Sequence, residues 1–348
     1  MFKKMILEIK NHKLVSITII STIFLLLIAL ITTPIFLSNK KVITVAGNDY
    51  NKNDFMIYLY SVKYNYFGKD NTDLPEATLN TLVDESSEKT IREFLKEKTV
   101  SEIKTAGVIQ KLANDYKISL SKEDEQEIEK EKQEFIQTLG GEKEFHKMLR
   151  NNNTNEKAYD KMSRTDKLYK LIYNELYAEG KTNDLKADEK AEAEKEYYNN
   201  YKKIRQIVLA TVDLETKKSL DTTTINQKEM LANAILIDAK NGTDFNELIK
   251  KYSEDAVNIE PPYDIYYKAG QMLEEIESTV NNLNIGDISE VVKSKYAFHI
   301  IIRDALDDGK LNVVFEQKRE GKLLENISKI LKEVPIIYHD SYTNIKIK

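Results

Sequence analysis

The chain of 348 residues contains no cysteine. That excludes disulfide frameworks, thiolate nucleophiles and zinc–cysteine sites at once. Histidine is almost as scarce. His12, His146, His299 and His339 are widely separated, which argues against a histidine-built metal site. Neither GxxxxGK[ST] nor GxGxxG occurs, so phosphate-cradling loops are missing, and no fixed internal period appears. The expectation is a protein without metal or cofactor. Glycine (11) and proline (5) are few, which favours long helices over a turn-rich β fold. The net charge of −5 offers no basic body for nucleic acid.

What is present begins with an uncharged run. Leu14 to Leu37 reads LVSITIISTIFLLLIALITTPIFL. At 1.5 Å per residue it reaches about 36 Å, enough to cross a ~30 Å hydrocarbon core with tilt. Lys3, Lys4, Lys10 and Lys13 precede it, while Lys40 and Lys41 follow it and weaken the asymmetry. The positive-inside rule predicts a cytoplasmic N-terminus and an outer bulk. The rival reading is a cleaved signal peptide. Its apolar region should be shorter, and Thr32-Thr33-Pro34 and Val45-Ala46-Gly47 make poor cleavage sites. The prediction is therefore a single-pass anchor.

After the span, VITVA (42–46) predicts a short strand and Gly47-Asn48-Asp49 a turn. Asn51 or Asn53 is placed to cap a helix through FMIYLYSVKYNYF. From Glu76 to about Tyr177 the period is mostly helical. Ser121 to Asp124 resembles a capping box, Gly140-Gly141 is a stop, and Asn153 or Thr154 is expected to cap the next helix. Tyrosines such as Tyr58, Tyr60, Tyr64 and Tyr66 suit either ordinary helix packing or a groove for unfolded peptide. GKTNDLKADEKA (180–191) reads as a charged linker entering a helix.

A second domain begins near residue 203. IRQIVLA (204–210) predicts a strand, Gln227 to Ala239 a helix, and FNELIKKYSED a shorter helix capped by Thr243 or Asp244. Pro261-Pro262 forces extended chain. A helix with Ile276, a turn at 284–287, a short strand at Val291-Val292 and a last strand from Phe298 to Arg303 complete a small α+β domain.

Three blocks in order, NGTDFNELIKKYSED, AGQM and NIGDISEVVKSKYAFHIIIRD, resemble the parvulin family of peptidyl-prolyl isomerases. VITVAGNDYNKNDF and the tail from Val313 resemble the two ends of the SurA/PrsA-like extracytoplasmic foldases. The resemblance implies an α+β chain with these parts. A cytoplasmic basic segment (1–13) leads to the anchor (14–37). A mostly helical chaperone-like domain (42–200) follows, with its linker near 180–191. A parvulin domain (203–305) comes next, and a C-terminal helix and tail (306–348) return to the chaperone domain. It further implies X-Pro-containing exported polypeptides as substrates, with a homodimer as a possible assembly.

An X-Pro bond isomerises over a barrier of ~18–20 kcal/mol. Catalysis needs an apolar socket for the ring and a polar floor that favours the twisted amide, with no nucleophile. By resemblance, Met272, Leu273, Ile276 and Phe298 fall on substrate-binding positions. Gln206, Asp255, Tyr296 and His299 fall on catalytic ones. The plainer reading of these residues is helix core, a helix-end carboxylate and a structural histidine. Three departures stand out. Gln206 replaces a first-strand histidine, EPPYDIYY replaces a glycine-bearing turn, and Ile276 replaces an aromatic ring. They leave open a chaperone with a degenerate, non-catalytic parvulin domain. A tethered scaffold for one folded partner is a third reading.

Overall fold

The computed structural model describes residues 40–68, 72–84, 87–255 and 260–347. The stretch read as a span lies outside them. Among the described residues no helix is long and apolar enough to cross a membrane. The chain divides into two units. One runs to Asn183 and resumes at Gly321; the other is Asp184–Glu320.

In chain order, β1 (Lys41–Val45) and β2 (Asn48–Asn51) lead into α1 (Lys52–Phe67), α2 (Glu76–Leu79) and α3 (Ile91–Asp115). Then come α4 (Lys122–Leu139), α5 (Glu142–Asn151), α6 (Glu156–Ile172) and a π turn (Tyr173–Tyr177). The second unit contains α7 (Ala187–Asn200), β3 (Tyr201–Ala210), α8 (Thr222–Lys240), α9 (Phe245–Tyr252) and β4 (Ile265–Lys268). It continues with α10 (Glu274–Asn282), β5 (Val292–Lys293) and β6 (Ala297–Asp304). Helix α11 (Asp308–Glu333) starts there and ends in the first unit, where β7 (Ile336–Tyr338) follows. The molecule is thus mixed α+β, mostly helical, with one small sheet in each unit.

The first unit is a helical body closed by a three-stranded sheet of order β2-β1-β7. Apolar residues of β1 and α1 (Ile43, Val45, Phe55, Ile57, Leu59) pack with Leu95, Ile103, Ile136 and Phe145. Tyr58 and Tyr60 join this core, whereas Tyr64 and Tyr66 are exposed. Helix α3 can cross β1 closely because residue 107 is glycine. A Cβ there would lie 2.6 Å from Val45 Cβ. Capping follows the sequence at most ends. Asn51 and Asp54 form a reciprocal cap on α1, Ser121 and Asp124 one on α4, and Gly140 ends α4 at φ 98°. The first turn of α6 differs from expectation, because Asn155 is its cap. Asn153 sits in a turn at φ 53°, and the Thr154 hydroxyl donates to Asn53 O at 2.8 Å. The predicted turn at 47–49 is also shorter, since Asn48 and Asp49 already pair with β1 as part of β2. Between α4 and α6, the buried Lys132 ammonium meets Glu156 at 2.6 Å and Asp160 at 3.1 Å. Burial opposes its charge, but those two carboxylates outweigh it and raise its pKa.

The second unit is built on a four-stranded antiparallel sheet of order β4-β3-β6-β5. Side chains of successive strand residues alternate between its faces. Ile207, Leu209, Phe298 and Ile300 point to one face and pack beneath α8 and α9. Ile204 and Ile301 point to the other, with Tyr267 and α10 residues Ile276 and Val280. The segment EPPYDIYY contains a strand, β4, which pairs with the first four residues of β3.

Candidate active site

The second face of this sheet carries the polar groups. In the β3–β6 register Val208 lies opposite His299, and Gln206 lies opposite Ile301. Gln206 and His299 are thus diagonal neighbours on one face, a spacing that long side chains bridge. The β3 edge beyond β4 is taken by residues 253–255. Glu254 N donates to Val208 O at 2.7 Å, and Val208 N donates to Ser253 Oγ at 3.1 Å. This pairing brings Asp255 beside Gln206.

A single line of hydrogen bonds results. Gln206 Nε2 donates to Asp255 Oδ2 at 3.3 Å, and Gln206 Oε1 lies 3.2 Å from His299 Nδ1. Ser294 Oγ lies 2.9 Å from His299 Nε2. A carboxylate only accepts, so the Gln206 amide nitrogen must face Asp255. Its oxygen then accepts from His299 Nδ1–H, which leaves Nε2 of the neutral ring to accept from Ser294. His299 and Gln206 are both buried. Burial lowers the His299 pKa, partly countered by Asp255 and then Glu275, so the ring is neutral near pH 7.

Ser294 is held in turn by the tight turn between β5 and β6, where its Oγ accepts from Tyr296 N and Ala297 N, both at 3.2 Å. Sequence reasoning missed Ser294. The available signal was a hydroxyl five residues before the histidine, at the start of a two-strand turn.

The apolar side adjoins this floor. Met272 is half-buried against Ile204, Tyr267, Ile276, Val280 and Ile301. The Tyr267 hydroxyl is buried without a partner, and burial pushes its pKa up to about 12. The turn before Met272 is fixed by α10. Glu277 Oε1 accepts from Gly270 N at 2.7 Å and from Met272 N at 3.1 Å. Gly270 sits at φ 85°, a conformation that glycine adopts without strain.

The predicted site residues divide accordingly. Gln206, Asp255 and His299 are brought together. Met272 borders the apolar cluster, and Ile276, only 1% exposed, lies behind it as packing. Leu273 is exposed at the start of α10. Tyr296 touches the network through its backbone; its ring is exposed, with Lys295 Nζ 5.2 Å away. Phe298 does not belong here. As the neighbour of His299 in a strand it faces the opposite way, buried under α8 and α9.

Residues 189–305 match the PPIC-type PPIASE domain family, so this stretch is a parvulin-type domain. Beyond it, the chain is similar to the foldase PrsA. The relative from Geobacillus kaustophilus is 29% identical over 169 residues, 45% of this chain and 54% of the relative. The one from Staphylococcus epidermidis is 28% identical over 243 residues, 66% of this chain and 68% of the relative. The first of these alignments spans about half the relative's length. The solved structure of PrsA from Bacillus subtilis is 19% identical, with a TM-score of 0.34, over 73% of this chain and 93% of that one. The parvulin, PrsA-like resemblance read from the sequence is borne out by the family and relatives matched.

Proposed function

We propose that this protein is a membrane-anchored extracytoplasmic foldase. Its second unit catalyses cis–trans isomerisation of X-Pro bonds in exported polypeptides. The observation that carries the reading is the Asp255–Gln206–His299–Ser294 line, buried except at the half-buried Asp255, on the sheet face that also carries the half-buried Met272. Isomerisation breaks no covalent bond, so no group here has to transfer a proton. The floor presents one hydrogen-bond polarity to the prolyl amide while Met272 takes the ring, favouring the twisted amide over the planar one. Each ~1.4 kcal/mol of such preference raises the rate tenfold. The anchor rests on the uncharged run 14–37 and the lysines before it.

The test is proline-limited refolding of a client by the full chain, beside Met272→Ala and His299→Ala. Acceleration lost in both variants supports the reading. No acceleration by a folded wild-type protein overturns the isomerase. That result favours the second reading, a chaperone with a non-catalytic parvulin domain, for which Gln206 in place of a titratable partner speaks.

A further inference from the structure

The first unit carries a basic surface, although the whole chain has a net charge of −5. A cavity of about 660 Å³ opens where β1 begins, and Lys40, Lys41 and Lys52 line it with His339 and one carboxylate, Asp340. A second cavity, of about 310 Å³, is lined by Arg92, Lys96 and Lys346 with one carboxylate, Glu76. Ile345 lines both, so they adjoin. Six cationic side chains and two carboxylates therefore line the two cavities on either side of the shared Ile345. Within this set Arg92 meets Glu76 at 2.5 Å, and Lys41 meets Asp49 at 2.6 Å. The Lys41–Asp49 pair is exposed on both sides and therefore weak, whereas the half-buried Arg92 also donates to Ile347 O and Asn80 Oδ1 and is left out of the proposed surface.

An independent observation lies on the neighbouring strand. β7 is an edge strand, and it exposes Ile337 and Tyr338 by 55% and 51%. Tyr338 pairs with Ile43 of β1, which places it beside the first cavity. Its ring lies 4.7 Å from that of Tyr342, and Lys96 Nζ is 4.3 Å from the Tyr342 ring. An exposed tyrosine bordered by lysines is the chemistry of side chains at a membrane–water boundary. The sequence supplies the position. Only Ser38 and Asn39 separate Leu37 from Lys40. Three residues reach ~10 Å at most, and each headgroup layer is ~5–8 Å thick.

We propose that the surface of Lys40, Lys41, Lys52 and Lys96 around Ile345 and Tyr338 binds the phosphate groups of anionic phospholipid headgroups. It thereby seats the first unit on the bilayer. The position assigned to this surface rests on the anchor reading above; its charge and its exposed aromatic do not.

The chain has no tryptophan, so Tyr338→Trp provides a single fluorescent reporter. The full chain is mixed with vesicles of phosphatidylcholine, or of phosphatidylcholine with phosphatidylglycerol. In both, the acyl chains are brominated near the headgroup. The expected result is flotation with both vesicles and about twofold stronger quenching with phosphatidylglycerol. Adding Lys40→Gln, Lys41→Gln and Lys52→Gln should remove the difference while circular dichroism stays unchanged. Equal quenching in both vesicles, or a difference that survives the triple substitution, overturns the proposal and leaves the anchor standing. Flotation only with phosphatidylglycerol supports the surface and overturns the anchor, whereas flotation with neither overturns both. The difference should persist in inorganic phosphate. Its loss there, or capture of polyphosphate with no response to vesicles, marks a site for soluble phosphate and overturns the headgroup assignment.

Discussion

Gln206 and His299 hold one another in fixed roles across adjacent strands, the amide oxygen accepting and the ring Nδ1–H donating over 3.2 Å. Because Asp255 holds the other end of the amide, the polarity of the line is set by a carboxylate that cannot donate. Gln206→Leu should break the line while keeping volume. The ring N–H is then buried without a partner, at a cost of about 1–3 kcal/mol. Urea denaturation should show that loss, and proline-limited refolding should slow on the order of tenfold. An unchanged refolding rate would mean that the polarity of the floor is irrelevant to turnover.

The histidine also sets a pH dependence. Its pKa in the folded protein is below the ordinary value, so between the two values the unfolded chain binds a proton that the folded one does not. The stability from a neutral His299 is complete above about pH 6.5. It is lost as pH falls from there through the folded value. Urea midpoints of the wild type should therefore fall more steeply below pH 6.5 than those of His299→Gln.

Glu277 supports the apolar side through the backbone. Its carboxylate accepts from two N–H groups that fix the turn before Met272. Glu277→Ala should free that turn and weaken substrate binding more than it weakens folding. The expected pattern is a KM rise of a few fold with kcat nearly kept, measured on a proline peptide, and a stability loss of about 1 kcal/mol.

In the first unit, Gly107→Ala should destabilise although alanine is the better helix former by about 1 kcal/mol. The new methyl would meet Val45 at 2.6 Å, and such overpacking costs about 1–3 kcal/mol. Pairing it with Val45→Ala should recover part of the loss, measured by the shift in thermal midpoint of the double variant.

Lys132→Met tests the charge between α4 and α6. It leaves Glu156 and Asp160 without their shared cation. Both carboxylates keep contact with water, so the expected loss is about 2 kcal/mol, below that of a fully buried pair. Urea denaturation of the variant beside wild type should show that loss.

Much of this architecture could be read from local sequence. β3 and β6 are β-branched runs bounded by charge, and the caps at Asn51 and Ser121 carry their partners three residues on. The failures have a common cause in pairing between distant segments. Asn48 and Asp49 look like turn residues and are recruited into β2 by β1. EPPYDIYY reads as loop until the edge of β3 supplies partners for 265–268. Within the site, strand alternation alone would have separated Phe298 from His299. Ser294 was harder, because its role comes from a turn whose geometry places Oγ on a ring five residues later.

The pairing of Ile43 with Tyr338 sets a timetable. The second unit is complete in sequence by Glu320, whereas the first waits for β7 before its three-stranded sheet can close. A chain synthesised from its N-terminus can therefore finish the inserted unit while the first still lacks β7. The unit that begins first in sequence is thus the last to be completed.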